Sequence, residues 1–180
     1  MNPTQLITGR RSIRKYKDDL VTREDIQAIM EETRFTQSWK NLQIARFTVV
    51  QDPDRIARIA SEGVNDFIYN AKTITKAKNL MILSFVHGVS GKIDESGYAT
   101  SKGDSWEVFD AGIACQTFAL AAYGHGIGTC VMGIIDDAKI AEIIDLPKEE
   151  TVAALIVFGY PDEEGRPTGR LSSDEICRYL

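Results

Sequence analysis

The first residues that could do chemistry form a basic segment near the start of the chain, from Arg10 to Lys17. Five of its eight residues (RRSIRKYK) are cationic, in a chain whose formal net charge is −5. Arginine presents a planar, permanently charged fork that suits phosphate, and Ser12 adds a short hydroxyl among the arginines. A solvated basic turn would have the same composition, so this segment alone supports either interpretation.

A second segment, Gly124 to Gly133 (GHGIGTCVMG), is rich in glycine. Its spacing is not the G-x-G-x-x-G of a dinucleotide-binding loop, and a predicted long helix precedes it where that motif requires a strand. We therefore reject a Rossmann interpretation. The glycines predict instead a place where backbone N–H groups can approach a planar ligand closely.

A third segment, Gln37 to Gln43 (QSWKNLQ), is polar and leads towards an apolar strand. Amide side chains both donate and accept hydrogen bonds, which suits the edge of a heterocycle with mixed polar groups. An ordinary surface loop explains these residues equally well.

These three segments, together with two later ones, resemble the FMN-dependent nitroreductase family. Residues 10–16 are similar to its R-R-S-x-R-x-[FY] opening, and residues 38–43 to its S-x-x-N-x-Q. Its D-x-G-x-A-x-Q…L-A-A…G-[LI]-G-[ST]-C…G run is similar to residues 110–133, and its closing G-Y-P…R to residues 159–161 with Arg170. The matches keep the family's order, so the resemblance covers nearly the whole chain.

The resemblance implies an α+β, nitroreductase-like fold with a central, mostly antiparallel sheet flanked by helices, in an intertwined homodimer with FMN at the subunit interface. It also implies a ping-pong NAD(P)H oxidoreductase. NAD(P)H would reduce FMN and leave, and an electron-poor acceptor such as a nitroaromatic, a quinone or a flavin would enter the same pocket. No catalytic side chain is expected, because the flavin carries the hydride and electron chemistry.

By the same resemblance, the FMN phosphate would be held by Arg10, Ser12 and Arg170, with Arg11 contributing through its backbone or side chain. Arg14 would reach the pyrimidine edge of the flavin, where a cation favours the electron-rich reduced ring. The phosphate site is therefore expected to combine arginines from the two ends of the chain.

The other implied contacts are to the flavin ring. Those against the isoalloxazine are Cys130, Val131, Met132 and Gly133. Those from the partner subunit are Ser38, Trp39 and Asn41. A backbone N–H near Met132 would point at the flavin N5. Asn70 aligns with the flavin-edge asparagine of the family, and Gln43 is explained as well by a structural role as by ligand binding.

The chain departs from the family pattern beside these contacts. Ile44 and Ala45 stand where the family has Pro-Trp, and Gln37 stands where it prefers proline. These changes remove no phosphate contact, so the cofactor is expected to be kept while the preferred acceptor is left open. Trp39 or Phe35 could stack on the acceptor, with burial as the competing explanation for Phe35.

Composition limits the possible partners. At 180 residues and 43% hydrophobic content, the chain fits one domain, residues 1–180, with a sizeable core. Its net charge of −5 argues against a general nucleic-acid or anionic-membrane binder. Three cysteines and two histidines form no zinc signature. No signal peptide and no apolar run of about 20 residues is present, so we expect a cytoplasmic protein.

The hydrophobic pattern predicts the elements that must position these residues. Helices are predicted at 3–9, 22–34, from 53 onwards, and at 66–75, 105–123, 138–144 and 172–180, and strands at 47–50, 80–86 and 152–158. The helix at 105–123 is apolar nearly all round, which predicts burial in a core or a dimer interface. The Gly- and Ser-rich stretch 88–103 is expected to be a mobile loop.

Three further residues are expected to be structural. His125 lies between two glycines and is expected in a turn. Cys130 has no base beside it in the sequence, so we expect it to pack near the flavin rather than act as a nucleophile. Cys115 falls within the long helix and is expected to be buried.

Two alternatives stay open at this stage. The same phosphate contacts would serve an FMN-binding carrier or sensor with little turnover. They would also serve an enzyme with other chemistry, such as reductive dehalogenation, enone reduction or flavin destruction, since acceptor choice depends on the shape of the pocket.

Overall fold

The predicted helices and the predicted strands at 47–50, 80–86 and 152–158 are present, and the structure adds three strands that were not predicted. The computed structural model describes residues 1–180. The strands are β1 (Ala45–Val50), β2 (Leu80–Val86), β3 (Lys92–Asp94), β4 (Gly97–Tyr98), β5 (Gly128–Met132) and β6 (Glu150–Gly159). The helices are α1 (Pro3–Gly9), α2 (Arg23–Thr33), α3 (Pro53–Glu62), α4 (Ile68–Thr75), α5 (Ser105–Gly124), α6 (Asp137–Ile143) and α7 (Ser173–Ile176). No helix is both long enough and apolar enough to cross a membrane.

Four of the strands form one antiparallel sheet in the order β1-β2-β6-β5, and β3 pairs with β4 in a separate hairpin. The expected α+β class, with a central antiparallel sheet flanked by helices, is confirmed. β2 and β6 occupy the centre because their side chains are apolar on both faces. β5 lies at one edge of the sheet, which leaves one of its sides without a partner strand.

The core has two parts, one on each face of the sheet, because successive side chains of a strand point to opposite faces. Leu80 and Ile82 of β2 pack on one face with residues of α3, α4 and α6. Met81 and Leu83 pack on the other face with residues of α2 and α5. The helices that surround the candidate binding residues are therefore anchored on both sides of one sheet.

Helix α5 is the longest element, at 20 residues. Phe118 at its centre contacts Phe47 and Phe158 of the sheet, with ring centroids 5.6 and 6.0 Å away. The helix ends at His125, and Gly126 then takes a φ of 77°, a left-handed value that glycine adopts without strain. The predicted helix and the predicted turn at His125 are both confirmed.

Three local expectations were wrong. Residues 88–103 contain the β3–β4 hairpin and are not a plain loop. The capping box between Ser172 and Glu175 is present, but α7 ends at Ile176 instead of continuing to Leu180, since a helix this short with no buried residue gains little from packing. Cys115 is only partly buried.

Candidate functional site

The basic segment lies along β5. The Ile13 N–H donates to the Thr129 carbonyl at 2.9 Å, and Ser12 forms a parallel bridge with Thr129. Ile13 itself is buried and fits against Gly128, where a Cβ atom would lie 2.7 Å from Ile13 Cγ1. One buried apolar residue thus fixes the segment to the sheet, while the charged residues on either side of it stay partly or fully exposed.

The outer side of β5 also offers unpaired backbone groups. The Phe158 N–H of β6 bonds to the Asn79 carbonyl, so Phe158 and the opposed Thr129 do not bond each other. Residues two apart in a strand present their N–H and C=O groups to the same side. The backbone N–H and C=O of Val131 therefore point to the same outer edge as those of Thr129. The basic segment covers this edge at Thr129 and not at Val131. The Val131 side chain is 48% exposed.

Cys130 lies next to this edge and reports on the charges around it. Burial raises the pKa of its thiol, while the positive charges of Arg14 and Arg10 lower that pKa. Both guanidinium groups therefore act on the strand at Cys130. A buried thiol with a raised pKa stays protonated at neutral pH, which agrees with the expected packing role.

Helix α4 closes the same end of the strand. The Asn70 Nδ2 donates to the Ile134 carbonyl at 3.0 Å, just after β5 ends. This bond leaves the Asn70 Oδ1 as a free acceptor. Tyr69 and Ile134 are largely exposed beside it. The structure therefore places Asn70 beside the residue that follows Gly133, and its contact with a flavin edge stays a prediction.

The side chains of two expected phosphate ligands, Arg11 and Arg170, donate hydrogen bonds to residues next to them in the chain. The Arg11 guanidinium donates to the carbonyls of Thr8 and Arg10 at 2.6 and 2.8 Å, so it caps the end of α1. The Arg170 guanidinium bonds only to Thr168 and Gly169, next to it in the chain. No hydrogen bond or ion pair joins Arg170 to Arg10 or Ser12, so its role at the phosphate stays a prediction.

The polar segment Ser38–Gln43 forms a strained turn elsewhere on the molecule. The φ values of Lys40, Asn41 and Gln43 are 47°, 56° and 52°, in a left-handed range that residues other than glycine rarely adopt. The Ser38 Oγ accepts a hydrogen bond from the Gln43 N–H at 2.8 Å and closes the turn. Such strain persists only where the surroundings hold the backbone in place, and it clusters at functional sites.

A buried carboxylate holds this turn. The Trp39 N–H donates to both oxygens of Asp110, each at 3.0 Å, and the Ser90 hydroxyl also donates to Asp110. Asp110 is only 3% exposed and has no cationic partner. Asp110 therefore fixes the Ser38–Gln43 turn through Trp39. Through Ser90 it also holds the chain just before the β3–β4 hairpin against α5.

The surroundings of this turn are aromatic. The Trp39 and Trp106 rings lie 4.8 Å apart, and Phe109 meets Trp106 edge-on at 5.3 Å. The Trp39 Nε1 is buried without a hydrogen-bond partner. Phe35 is 78% exposed with the Arg34 guanidinium above its ring, so burial does not explain Phe35.

Apart from Arg170, the expected site residues thus fall into two groups in one chain. The first group lies around β5 and consists of Arg10, Arg11, Ser12, Arg14, Asn70, Cys130, Val131, Met132 and Gly133. The second group consists of Ser38, Trp39, Asn41 and Gln43, in the turn that packs against α5. No hydrogen bond joins the two groups. The cavity beside the turn has a volume of about 200 Å³, below the ~300–1,000 Å³ usual for ligand pockets.

Fold and site together define an α+β protein with a cationic segment along one edge of its central sheet. Residues 7–160 match the family model described as the Nitroreductase family, so the chain belongs to that family, as the motifs indicated.

Three known proteins illustrate the similarity. An FMN reductase [NAD(P)H] of Bacillus subtilis is 26% identical, over 94% of this chain and 70% of its own length. A nitroreductase family protein of Streptococcus pneumoniae superposes with a TM-score of 0.85 at 22% identity, covering 98% of this chain and 99% of its own. A protein of Desulfovibrio desulfuricans, solved in complex with FMN, superposes with a TM-score of 0.80 at 26% identity, covering 100% and 98%.

Two residues of the site had no specific signal in the sequence. Asp110 belongs to a family motif, but nothing in the motif shows that it binds the Trp39 N–H, 71 positions away. Glu163 accepts hydrogen bonds from the basic segment and lies 149 positions from Arg14. Contacts between such distant residues can be inferred only from the folded chain.

We expect Asp110→Ala to lower the free energy of unfolding by about 2–4 kcal/mol, because it leaves the Trp39 N–H and the Ser90 hydroxyl without a partner in a buried place. Asp110→Asn keeps one acceptor oxygen and should lose about half as much. Urea denaturation followed by tryptophan fluorescence measures both. Asp104→Ala, at the start of the same helix where the side chain makes no capping bond, is the control. An unchanged midpoint for Asp110→Ala would contradict the role of this carboxylate.

Proposed function

We propose that the protein is an FMN-dependent NAD(P)H oxidoreductase that passes electrons to electron-poor small molecules such as nitroaromatics, quinones or flavins. The observation that carries this proposal is the position of the basic segment along the open edge of β5. There the side chains proposed to hold the phosphate lie beside unpaired backbone groups that suit a planar heterocycle. The FMN in the Desulfovibrio desulfuricans relative and the NAD(P)H in the name of the Bacillus subtilis relative support the choice of cofactor and donor.

The chemistry of the donor set fits FMN. Arg10 and Ser12 offer a guanidinium and a hydroxyl for the phosphate, and Arg14 offers a positive charge at the strand. The outward-facing Val131 N–H can donate to a ring nitrogen, and the free Asn70 Oδ1 can accept from a ring N–H. Bound FMN would supply the hydride and electron transfer.

The side chains of the chain would then bind and orient. Cys130 belongs to β5 itself, and its protonated thiol is buried in the core and adds no competing nucleophile. Tyr69 and Ile134 are exposed next to Asn70 and leave apolar surface for a second planar molecule. The acceptor is not fixed by any of these groups, which is consistent with a pocket that takes several electron-poor rings.

We also propose that two copies of the chain form the complete site. Val108 and Phe109 of α5 are 61% and 58% exposed, an unusual state for large apolar residues of a central helix. The turn that carries Ser38, Trp39 and Asn41 does not meet the basic segment of its own chain. In a homodimer packed through α5, the turn of one subunit would complete the site beside the basic segment of the other.

An absorption spectrum of the purified protein, before and after NADH or NADPH, tests the proposed function. We expect flavin bands that bleach on nicotinamide addition and return when a quinone is added. Bands that do not bleach would contradict the enzyme and favour an FMN carrier or sensor. A colourless protein that also fails to bind added FMN would contradict the cofactor assignment.

Arg10→Ala should weaken FMN binding about 10- to 100-fold, because a charge-assisted hydrogen bond contributes about 1.5–3 kcal/mol. Combined with Arg170→Ala, the loss should be larger if Arg170 also reaches the phosphate. Fluorescence titration of the apoprotein with FMN measures the affinity. Arg58→Ala, which removes an exposed arginine paired with Glu62 on α3, is a control of equal charge. Equal affinity of Arg10→Ala and the control would show that the basic segment does not hold the phosphate.

The proposed homodimer leads to a separate prediction. Val108→Glu combined with Phe109→Glu should give a monomer with weakened FMN binding, because two charges would be buried in the α5 interface. Light scattering at micromolar concentration measures the mass. Leu20→Glu changes an apolar residue that is 54% exposed away from α5, and should leave the dimer intact. A wild-type protein that is already monomeric would rule out the shared site.

A further inference from the structure

One carboxylate, that of Glu163, contacts the basic segment. The Glu163 Oε1 accepts hydrogen bonds from the backbone N–H groups of Arg14 at 2.7 Å and Lys15 at 3.2 Å. The chain around it runs beside the segment, with Asp162 N–H bonded to the Lys15 carbonyl and a bridge between Tyr16 and Pro161. Two successive donors and a paired backbone hold this carboxylate at one place.

Holding the backbone does not by itself require a charge. A neutral acceptor such as glutamine could take a hydrogen bond from the same N–H groups. What a carboxylate adds is a fixed negative charge at the backbone of Arg14 and Lys15. This placement is unexpected in a segment whose proposed ligand is an anion, because the carboxylate opposes part of the attraction that the arginines supply.

The effect of this charge reaches the strand against which FMN is proposed to lie. The negative charge of Glu163 raises the pKa of the Cys130 thiol, whereas the positive charges of Arg14 and Arg10 lower it. The Tyr16 hydroxyl shows the same opposition, since its pKa is raised by burial and further by Glu163, and lowered by Arg14. Glu163 and Arg14 therefore act with opposite sign on the same atoms.

We propose that Glu163 tunes the reduction potential of the bound flavin by offsetting part of the positive charge of Arg10 and Arg14. The inference rests on the proposed function. Transfer of a hydride from NAD(P)H to the bound ring leaves NAD(P)⁺ and adds two electrons and one proton, so the ring gains one negative charge. Nearby cations favour this gain, and Glu163 opposes it. The reduced cofactor is thereby kept a stronger donor towards the acceptor.

The test compares Glu163→Gln with Glu164→Gln. Both remove one negative charge, but Glu164 makes no hydrogen bond or ion pair and serves as a matched control. Anaerobic titrations of each apoprotein with oxidised and with reduced FMN give two dissociation constants. Their ratio, oxidised over reduced, depends on the charge near the ring and not on whether the fold has merely loosened.

We expect Glu163→Gln to raise this ratio about two- to fivefold, the size of effect for a partly exposed charge. For a two-electron couple this corresponds to a potential about 10–20 mV more positive. Glu164→Gln should leave the ratio at the wild-type value. Glu163→Thr, a second neutral residue able to accept a hydrogen bond, should raise the ratio in the same direction.

Each other outcome overturns the inference. In one such outcome, the wild-type protein binds FMN and is reduced by NAD(P)H, while Glu163→Gln leaves the ratio of dissociation constants unchanged. That result would support the proposed function and contradict the tuning role of Glu163. An equal change in Glu164→Gln would show a general charge effect. Failure of both neutral Glu163 variants to fold would assign the carboxylate to holding the backbone. A wild-type protein that does not bind FMN would overturn the function and the inference together.

Discussion

The open side of β5 is the constraint on which the candidate site depends. An edge strand presents unpaired N–H and C=O groups, and proteins must cover them or use them. Here the single hydrogen bond from Ile13 to Thr129 covers the start of that edge and leaves the part at Val131 free. The buried Ile13 fixes the register, so the arginines on either side of it lie along the strand. A ligand that needs both phosphate donors and backbone donors finds them side by side.

Carboxylates organise the segments around this edge and around α5. Glu107 and Asp110 are 1% and 3% exposed, and neither pairs with a lysine or an arginine. Glu107 accepts from the N–H groups of Gly88 and Val89, as Asp110 does from Trp39. Backbone donors can satisfy a buried carboxylate at little loss because the donors are themselves held by the fold. Glu163 does the same for the basic segment, but at a partly exposed place where its charge can act on a ligand.

A single chain brings the predicted contacts together in two separate groups and does not join them. The strained turn at Ser38–Gln43 is held firmly by Asp110, yet it lies apart from the basic segment, and the exposed Val108 and Phe109 lie on the same helix as Asp110. A turn that Asp110 holds in left-handed conformations presents its polar side chains in a fixed arrangement. The proposed homodimer gives that arrangement a use, since it would bring the turn of one subunit to the β5 edge of the other.

Local features were determined by the sequence alone. The helices predicted at 22–34 and from 53 onwards, the strand at 80–86 and the all-round apolar α5 depend on residues a few positions apart, and they appear as expected. The ordered motifs also identified the family and named residues that the structure gathers at β5. Only the tertiary structure decided that Arg11 caps α1, that Arg170 stays with its neighbours, and that Asp110 and Glu163 anchor the site. Those contacts join residues up to 149 positions apart, and their geometry is set by strand pairing and packing that no local pattern records.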